Sequence, residues 1–451
     1  MKVLGLLSLC SVAALAGCMA AETADTSPPA TTPATYVHGG TARLEEIGLQ
    51  AWWQEFRDPQ LNALMARGLA QNLDIATALA RVRKSEADLR TTGLNDQIDG
   101  SLRGQTAHGV DETYSKAVTT ASSGSLSASY VFDLFGGVAR TQERARTVRD
   151  AAVHDVATAR LAMEASIVGR YIDIRYDQDV LELTHQTIAS REKTLQLVTE
   201  QASFGSASDL DVASAKADLD TARSSLPTLI GDFEANVFAL ATLLDEPAGP
   251  LMTRLQYGGP QPRPVAGHDI GVPTDLLRNR PDVRAAESRL LSETAAIGVA
   301  QADLYPSLTL SGTITRQDAS SWQFGPVLSL PLFNYGRLTA KVEGARSNAE
   351  IARLEWKNAI LSAVEDVQKT QSAYMAYRRQ TKSLSEVVAS TDRVRVLSQE
   401  TYRQGAATLL DLLDAERRYT SARQSLSQSL RQEATSWAKL QVAVGRGAVA
   451  D

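Results

Sequence analysis

The sequence predicts a mainly α-helical chain with a small membrane β part. The expected unit is a set of long coiled-coil helices plus a β-hairpin, present twice and trimerising into a 12-stranded β-barrel. Three observations carry that class: two long stretches almost free of proline and glycine, a match of the chain to itself at an offset near 200, and alternating stretches at the same place in both copies.

The repeat is read first. Asn72-Leu73-Asp74-Ile75 matches Arg280-Pro281-Asp282-Val283, and Leu102 and Gly104 match Leu310 and Gly312, all at an offset of 208. Gly136, Gly205, Leu210-Asp211 and Ala215 match Gly336, Gly405, Leu410-Asp411 and Ala415 at an offset of 200. The first copy (41–245) therefore carries eight extra residues, confined to 105–125, where an exposed loop tip is expected. The second copy spans 274–445, and 446–451 is a tail. Between the copies, 246–273 is expected to be an irregular linker or belt, since 245–273 holds six of the fifteen prolines.

Residues 138–203 contain no proline and only Gly169; residues 338–403 contain no proline and only Gly344. Both are rich in Ala, Leu, Glu, Gln and Arg, with apolar residues such as Ile360, Val364 and Val367 at helical spacing. Each predicts one helix of roughly 100 Å at 1.5 Å per residue, too long for a globular core and suited to coiled-coil packing. Gly205 and Gly405 should end these helices, and return helices are expected over 208–245 and 408–444. An opening helix precedes the strands in each copy, at about 61–95 and 274–304.

The strand-like stretches lie between opening and long helices. Ser307 to Thr315 puts Leu308, Leu310, Gly312 and Ile314 on one face and hydroxyls on the other; 322–332 alternates likewise, as do 98–106 and 125–133. Such alternation fits transmembrane strands, and soluble hairpins capping the helices are the alternative. An open sheet edge is not tolerated in lipid, so four strands need other protomers to close. Two chains give a filled lumen; three are the smallest assembly that makes a conduit.

The 451 residues carry 46 basic and 52 acidic side chains without a basic run, so no nucleic-acid partner is expected. Residues 1–17 have the form of a signal peptide: Lys2, an apolar stretch, then small residues. The stretch ends Leu15-Ala16-Gly17-Cys18, which resembles a bacterial lipobox and implies covalent lipid on Cys18, an S-diacylglycerol and an N-acyl chain such as palmitate. Cleavage there would leave 45 basic and 52 acidic residues, net −7, and a single cysteine, so no internal disulfide. Met19, rather than aspartate, follows Cys18, which by the same resemblance implies the outer membrane. Residues 18–40 would then be a lipidated tether, polar and rich in Pro and Thr.

Four motifs are specific: Trp52-Trp53-Gln54-Glu55-Phe56-Arg57-Asp58-Pro59-Gln60-Leu61, Arg280 to Glu287, Ala302-Asp303-Leu304-Tyr305-Pro306, and Leu409 to Ala415. Together they resemble the TolC-like outer-membrane factors, in particular the NodT-like lipoprotein branch that serves RND-type tripartite efflux pumps. The resemblance implies a homotrimer, a periplasmic α-barrel with an equatorial belt, a periplasmic adaptor (membrane fusion) protein and an inner-membrane RND-type transporter as partners, and passive exit of small molecules such as drugs and toxic compounds. It also implies closure at the periplasmic helix turns. The matching positions are Leu410, Asp411 and Asp414, with Tyr402 as the closing tyrosine and Asp209 and Asp211 at the other turn. The arginine that some members place beside the tyrosine falls on Ala407. Asp209 would suit an N-cap, whereas Asp411 and Asp414 fall inside the expected return helix, where three-fold symmetry would make carboxylate rings.

No motif points to catalysis: there is no G-x-S-x-G, P-loop or H-E-x-x-H, and the five histidines are scattered, so neither an enzyme nor a metal or other cofactor is expected. Two further functions stay open at this level. One is the outer-membrane channel of a type I protein secretion system. The other is a lipid-anchored periplasmic coiled-coil spacer without a pore, which would have no use for alternating strands in both copies.

Overall fold

A computed structural model describes residues 24, 33–37, 51–110, 118–265, 270–271, 273–317 and 319–447. Cys18 and the tether lie outside the described residues. The chain divides into two compact units. One holds Ala78–Asp155 and Asp282–Ala359; the other holds Thr31–Thr77, Val156–Pro281 and Ile360–Asp451.

In chain order, a 3-10 turn (Trp52–Phe56) leads into α1 (Pro59–Gln71) and α2 (Leu73–Arg90), then hairpin β1 (Ile98–Val110) and β2 (Val118–Phe132). The long α3 (Gly137–Ser203) turns into α4 (Asp209–Leu243), and a short α5 (Ala248–Leu255) follows. The second copy runs through α6 (Pro281–Ala302), β3 (Ser307–Arg316), β4 (Ser320–Ser329), α7 (Tyr335–Arg403) and α8 (Leu409–Ala443). The strands form one antiparallel sheet ordered β1-β2-β3-β4, with β1 and β4 as its edges.

Three expectations are corrected. Each opening helix is broken, and the two copies use different means. Asn72 stays extended, and its Oδ1 accepts from the amides of Asp74 and Ile75 at 3.0 and 3.2 Å, which starts α2 afresh. At the matching place, Arg280 is held extended by Pro281, and the proline opens α6, where its missing N–H costs nothing. The belt segment 246–273 is not wholly irregular, because α5 buries Leu251 and Leu255 completely on one face. Residues 111–117, within the expected loop tip, lie outside the described residues, but the described extra residues of copy one are paired rather than looped. They lengthen the ladder to Val110↔Val118, so Gly124 sits in a rung opposite Gly104 and Arg316. Hydroxyls hold the added rungs, with Thr106 against Ser122 at 3.2 Å and His108 against Thr120 at 2.8 Å.

The core of the second unit explains the Trp52-to-Leu61 motif. Trp52 and Phe56 pack on Trp437, with ring centroids at 6.1 and 4.9 Å. Arg57 turns the chain at φ 52°, Pro59 starts α1, and Asp58 caps it by accepting from the amides of Gln60 and Leu61. Tyr171 donates to the same Asp58 carboxylate, while the buried Arg175 donates to the Tyr171 hydroxyl at 2.7 Å and to Gln60 Oε1 at 2.6 Å. One cap is thereby tied to α3.

Glu164 of α3 is fully buried beneath this motif and accepts from Trp52 Nε1 at 3.0 Å. Burial lifts its carboxyl from the ordinary 4.5 to about 7, against the opposing pull of Trp52 and Arg160. The folded chain therefore holds this proton more tightly than the unfolded chain. The contribution, about 3 kcal/mol, is complete below about pH 4.5 and is lost as pH rises through about 7. Glu164→Gln keeps an acceptor for Trp52 and should flatten the fall in unfolding midpoint between pH 5 and 8. A variant as pH-dependent as the wild type would refute that assignment.

Candidate functional site

Two regions hold the residues singled out from the sequence: the sheet in one unit and the helix turns in the other.

Facing residues of antiparallel strands share a side of the sheet, so the register sorts its two faces. One face carries Ile98, Leu102, Leu126, Tyr130, Phe132, Leu308, Leu310, Ile314, Trp322, Phe324 and Leu328. The other carries Ser101, Arg103, Gln105, Ser125, Ser127, Thr309, Ser311, Thr313 and Gln323. The apolar side chains are open in the single chain: Leu102 is 82%, Trp322 80% and Phe324 70% exposed. A continuous apolar face of this kind calls for lipid or protein cover. Among the described residues no helix is long and apolar enough to cross a membrane. The motif Ala302 to Pro306 fixes the approach to β3: Tyr305 stacks on Phe135 at 4.7 Å and Asp303 pairs with Lys341.

The helix turns are built alike in both copies. At the end of α3, Gly205 takes φ +74°, Ser206 N donates to Gln201 O at 2.8 Å and Gly205 N to Ala202 O at 2.9 Å. At the end of α7, Gly405 takes the same φ, Ala406 N donates to Thr401 O at 2.9 Å and Gly405 N to Tyr402 O at 3.0 Å. Both are Schellman closures, for which a left-handed glycine is needed. Two residues later each return helix opens with a capping box, Ser208 with Asp211 and Thr408 with Asp411.

This arrangement corrects the sequence reading of the carboxylates. The N-cap of α4 is Ser208, and Asp209 is its first helical residue, because the serine hydroxyl is placed to accept from the amide of Asp211. Capping does account for Asp411. Its Oδ2 accepts from the Thr408 hydroxyl at 2.6 Å and from the Thr408 amide at 3.0 Å. Those bonds hold its carboxyl below the usual range, so the charge at the turn persists in mild acid. Asp211 is held low in the same way, first by the Ser208 amide and then by its hydroxyl. Asp414 lies one turn on and pairs with Arg418 at 2.8 Å. Leu410 is 69% exposed and Leu210 74%, while Tyr402 is buried and donates to Gln201 Oε1 at 2.7 Å. Tyr402, Leu409, Leu412 and Leu413 pack with Val198 and Ala215, so a single small core joins the two turns. Sequence reasoning missed Gln201 altogether. The capping boxes were visible as Ser-x-x-Asp and Thr-x-x-Asp, with aspartate in place of the usual glutamate.

The chain matches the model of the outer membrane efflux protein family over residues 64–246 and 272–446, one block in each copy. It is 34% identical to nodulation protein T of Rhizobium leguminosarum bv. trifolii over 428 residues, covering 92% of this chain and 91% of that protein. It is 28% identical to the pyoverdine export outer membrane protein OpmQ of Pseudomonas aeruginosa, covering 97% and 95%. Among solved structures, the outer-membrane channel OprN superposes with a TM-score of 0.84 at 27% identity, over 95% of this chain and 100% of that one.

Proposed function

The chain belongs to the outer membrane efflux protein family, and we propose that three copies form the exit duct of a tripartite pump. It is an outer-membrane efflux channel subunit. The observation that carries the assembly is the open sheet with one apolar face and one polar face. Its edges β1 and β4 run antiparallel, so β4 of one copy can pair with β1 of the next around a ring. Three sheets then give twelve strands, with the apolar face to lipid and the serine, threonine and glutamine face to a water-filled lumen.

The partners in this reading are a periplasmic adaptor and an inner-membrane RND-type transporter that supplies the energy. The cargo is small molecules, the chemistry that the name of the pyoverdine exporter also implies. At the turns, three Leu410 side chains would narrow the duct, and Asp411 and Asp414 would ring it with carboxylates attractive to cations.

Single-channel recording in planar bilayers tests this reading. Purified protein should conduct weakly at rest and prefer cations. Leu410→Ala should raise resting conductance. Asp411→Ala with Asp414→Ala should weaken both cation preference and block by divalent cations. Asp411→Asn keeps an acceptor for the Thr408 amide and separates loss of charge from loss of the cap. A trimer silent under all conditions would favour a poreless spacer, and unchanged selectivity in the double variant would leave the aspartates as caps alone.

Cys18 would be the mature N-terminus and carry lipid, an auxiliary anchor beside a barrel. Cys18→Ser behind another export signal should lose the lipid mass and keep conductance. An unmodified residue 18 in the wild type, by mass spectrometry, would reject lipidation.

A further inference from the structure

The apolar face is not flat. The rung Gly100–Ala128–Gly312 crosses three strands with almost no side chain and ends at Phe324. The phenyl edge of Phe324 lies over Gly312, 3.2 Å from where a Cβ would stand. Ridges flank this low rung. Ile98, Tyr130 and Leu310 form one, and Leu126, Ile314 and Trp322 form the other. With Ala128, Gly312 and Phe324 between them, they border an open groove of about 560 Å³, within the range of about 300–1,000 Å³ typical of small-ligand pockets. Ser129, Thr313 and Gln323 also border it, but by parity their side chains belong to the polar face and only their ladder-paired backbone contributes.

The charge pattern on this face has one prominent feature. Among its described strand residues the sole Arg, Lys, Asp or Glu is Arg316, which is exposed at the hairpin end of β3 and one rung beyond Ile314. The opposite strand ends lead into the helices. With the helices in the periplasm, Arg316 stands on the outer-leaflet side. It lies four residues, about 13 Å, along β3 from Gly312, a span that the upper part of a long acyl chain covers.

We propose that each chain holds one phosphorylated, acylated glycolipid of the outer leaflet, with an acyl chain seated in the groove over Ala128 and Gly312 and a phosphate at Arg316. The proposal rests on the reading that this face meets the bilayer. A chain in the groove touches a floor and two walls rather than one surface, and so gains dispersion contacts that a flat face does not offer. Among the described strand residues of this face the guanidinium supplies the only Arg, Lys, Asp or Glu charge, and it suits a phosphate. The rung runs across strands tilted about 35–45°, so a seated chain lies oblique to the bulk chains and should exchange slowly.

Lipid A is the probe. The delipidated trimer, titrated with lipid A and read by native mass spectrometry, should take up to three molecules. Arg316→Gln should weaken uptake about fivefold, the effect of roughly 1 kcal/mol for one basic side chain at a lipid surface. Ala128→Leu, which fills the floor, should abolish it. In parallel, Trp322 is the only one of five tryptophans that is exposed, the other four being buried, so brominated phospholipids should quench it in vesicles for all variants. Trp322 quenched but equal uptake by wild type and both variants would overturn the glycolipid site while the membrane reading stands. Trp322 left unquenched would overturn both. Preference for phosphatidylcholine over lipid A would also reject the assignment.

Discussion

Gly445→Ala is expected to destabilise the fold far more than the same methyl added at a left-handed glycine in open space. The glycine ends α8 by a third Schellman closure: Arg446 N donates to Gln441 O at 3.1 Å and Gly445 N to Val442 O at 3.0 Å, with φ +86°. That conformation alone costs a residue with a Cβ about 1–3 kcal/mol. The added Cβ would also stand 2.3 Å from Asn279 O and 2.7 Å from Asn279 C, which are backbone atoms and cannot swing aside. Gly205→Ala is the control. Its φ is +74°, yet nothing lies within 4 Å of the added carbon, so it carries the conformational term alone. Thermal unfolding should put Gly445→Ala well below Gly205→Ala. Equal midpoints would show that the approach to Asn279 gives way without cost.

Trp437→Ala is the second large effect, with an expected loss of about 3–5 kcal/mol. The indole is 1% exposed and wedged between Trp52 and Phe56, so its removal opens a cavity under the segment that leads into α1. Its Nε1 has no hydrogen-bond partner among the described residues. Trp437→Phe therefore surrenders packing without orphaning an acceptor, and should keep most of the stability. Denaturant midpoints of both variants check this. A phenylalanine variant as unstable as the alanine variant would mean that the ring edge, not the filled volume, carries the effect.

Much of the architecture was legible because its causes are local. Unbroken runs of helix formers dictate α3 and α7, and a glycine at each end dictates a turn. Alternating polarity dictates two faces once the ladder is formed. What escaped was decided by neighbours distant in sequence or by side chains with two uses. Asn72 breaks a helix because its side-chain oxygen accepts from the backbone amides of the following turn, a role that its spacing does not announce. The extra residues of copy one are poor in large apolar groups and looked like a loop, yet Thr106–Ser122 and His108–Thr120 contacts accompany a ladder that extends to Val110 and Val118. Asp411 sits inside an apparently continuous helical pattern, and only the position of Thr408 marks it as the third residue of that helix. Glu164 and the Tyr171–Arg175 pair gave no signal, since nothing in α3 tells that Trp52 and Asp58 will arrive beside them.

The two turns also bear on how this chain could have changed after duplication. Both copies keep the parts that dictate backbone path, namely the left-handed glycine, the hydroxyl cap and the aspartate three residues later. Ala207 and Leu210 also recur, as Ala407 and Leu410, whereas other positions at or beside the turns differ: Phe204 against Gln404, Asp209 against Leu409, Ala202 against Tyr402. Leu409 and Tyr402 now lie in a small core, while Asp209 remains in solvent. Geometry and chemistry are thus inherited separately, so one copy could acquire a new surface while its twin held the hairpin's shape.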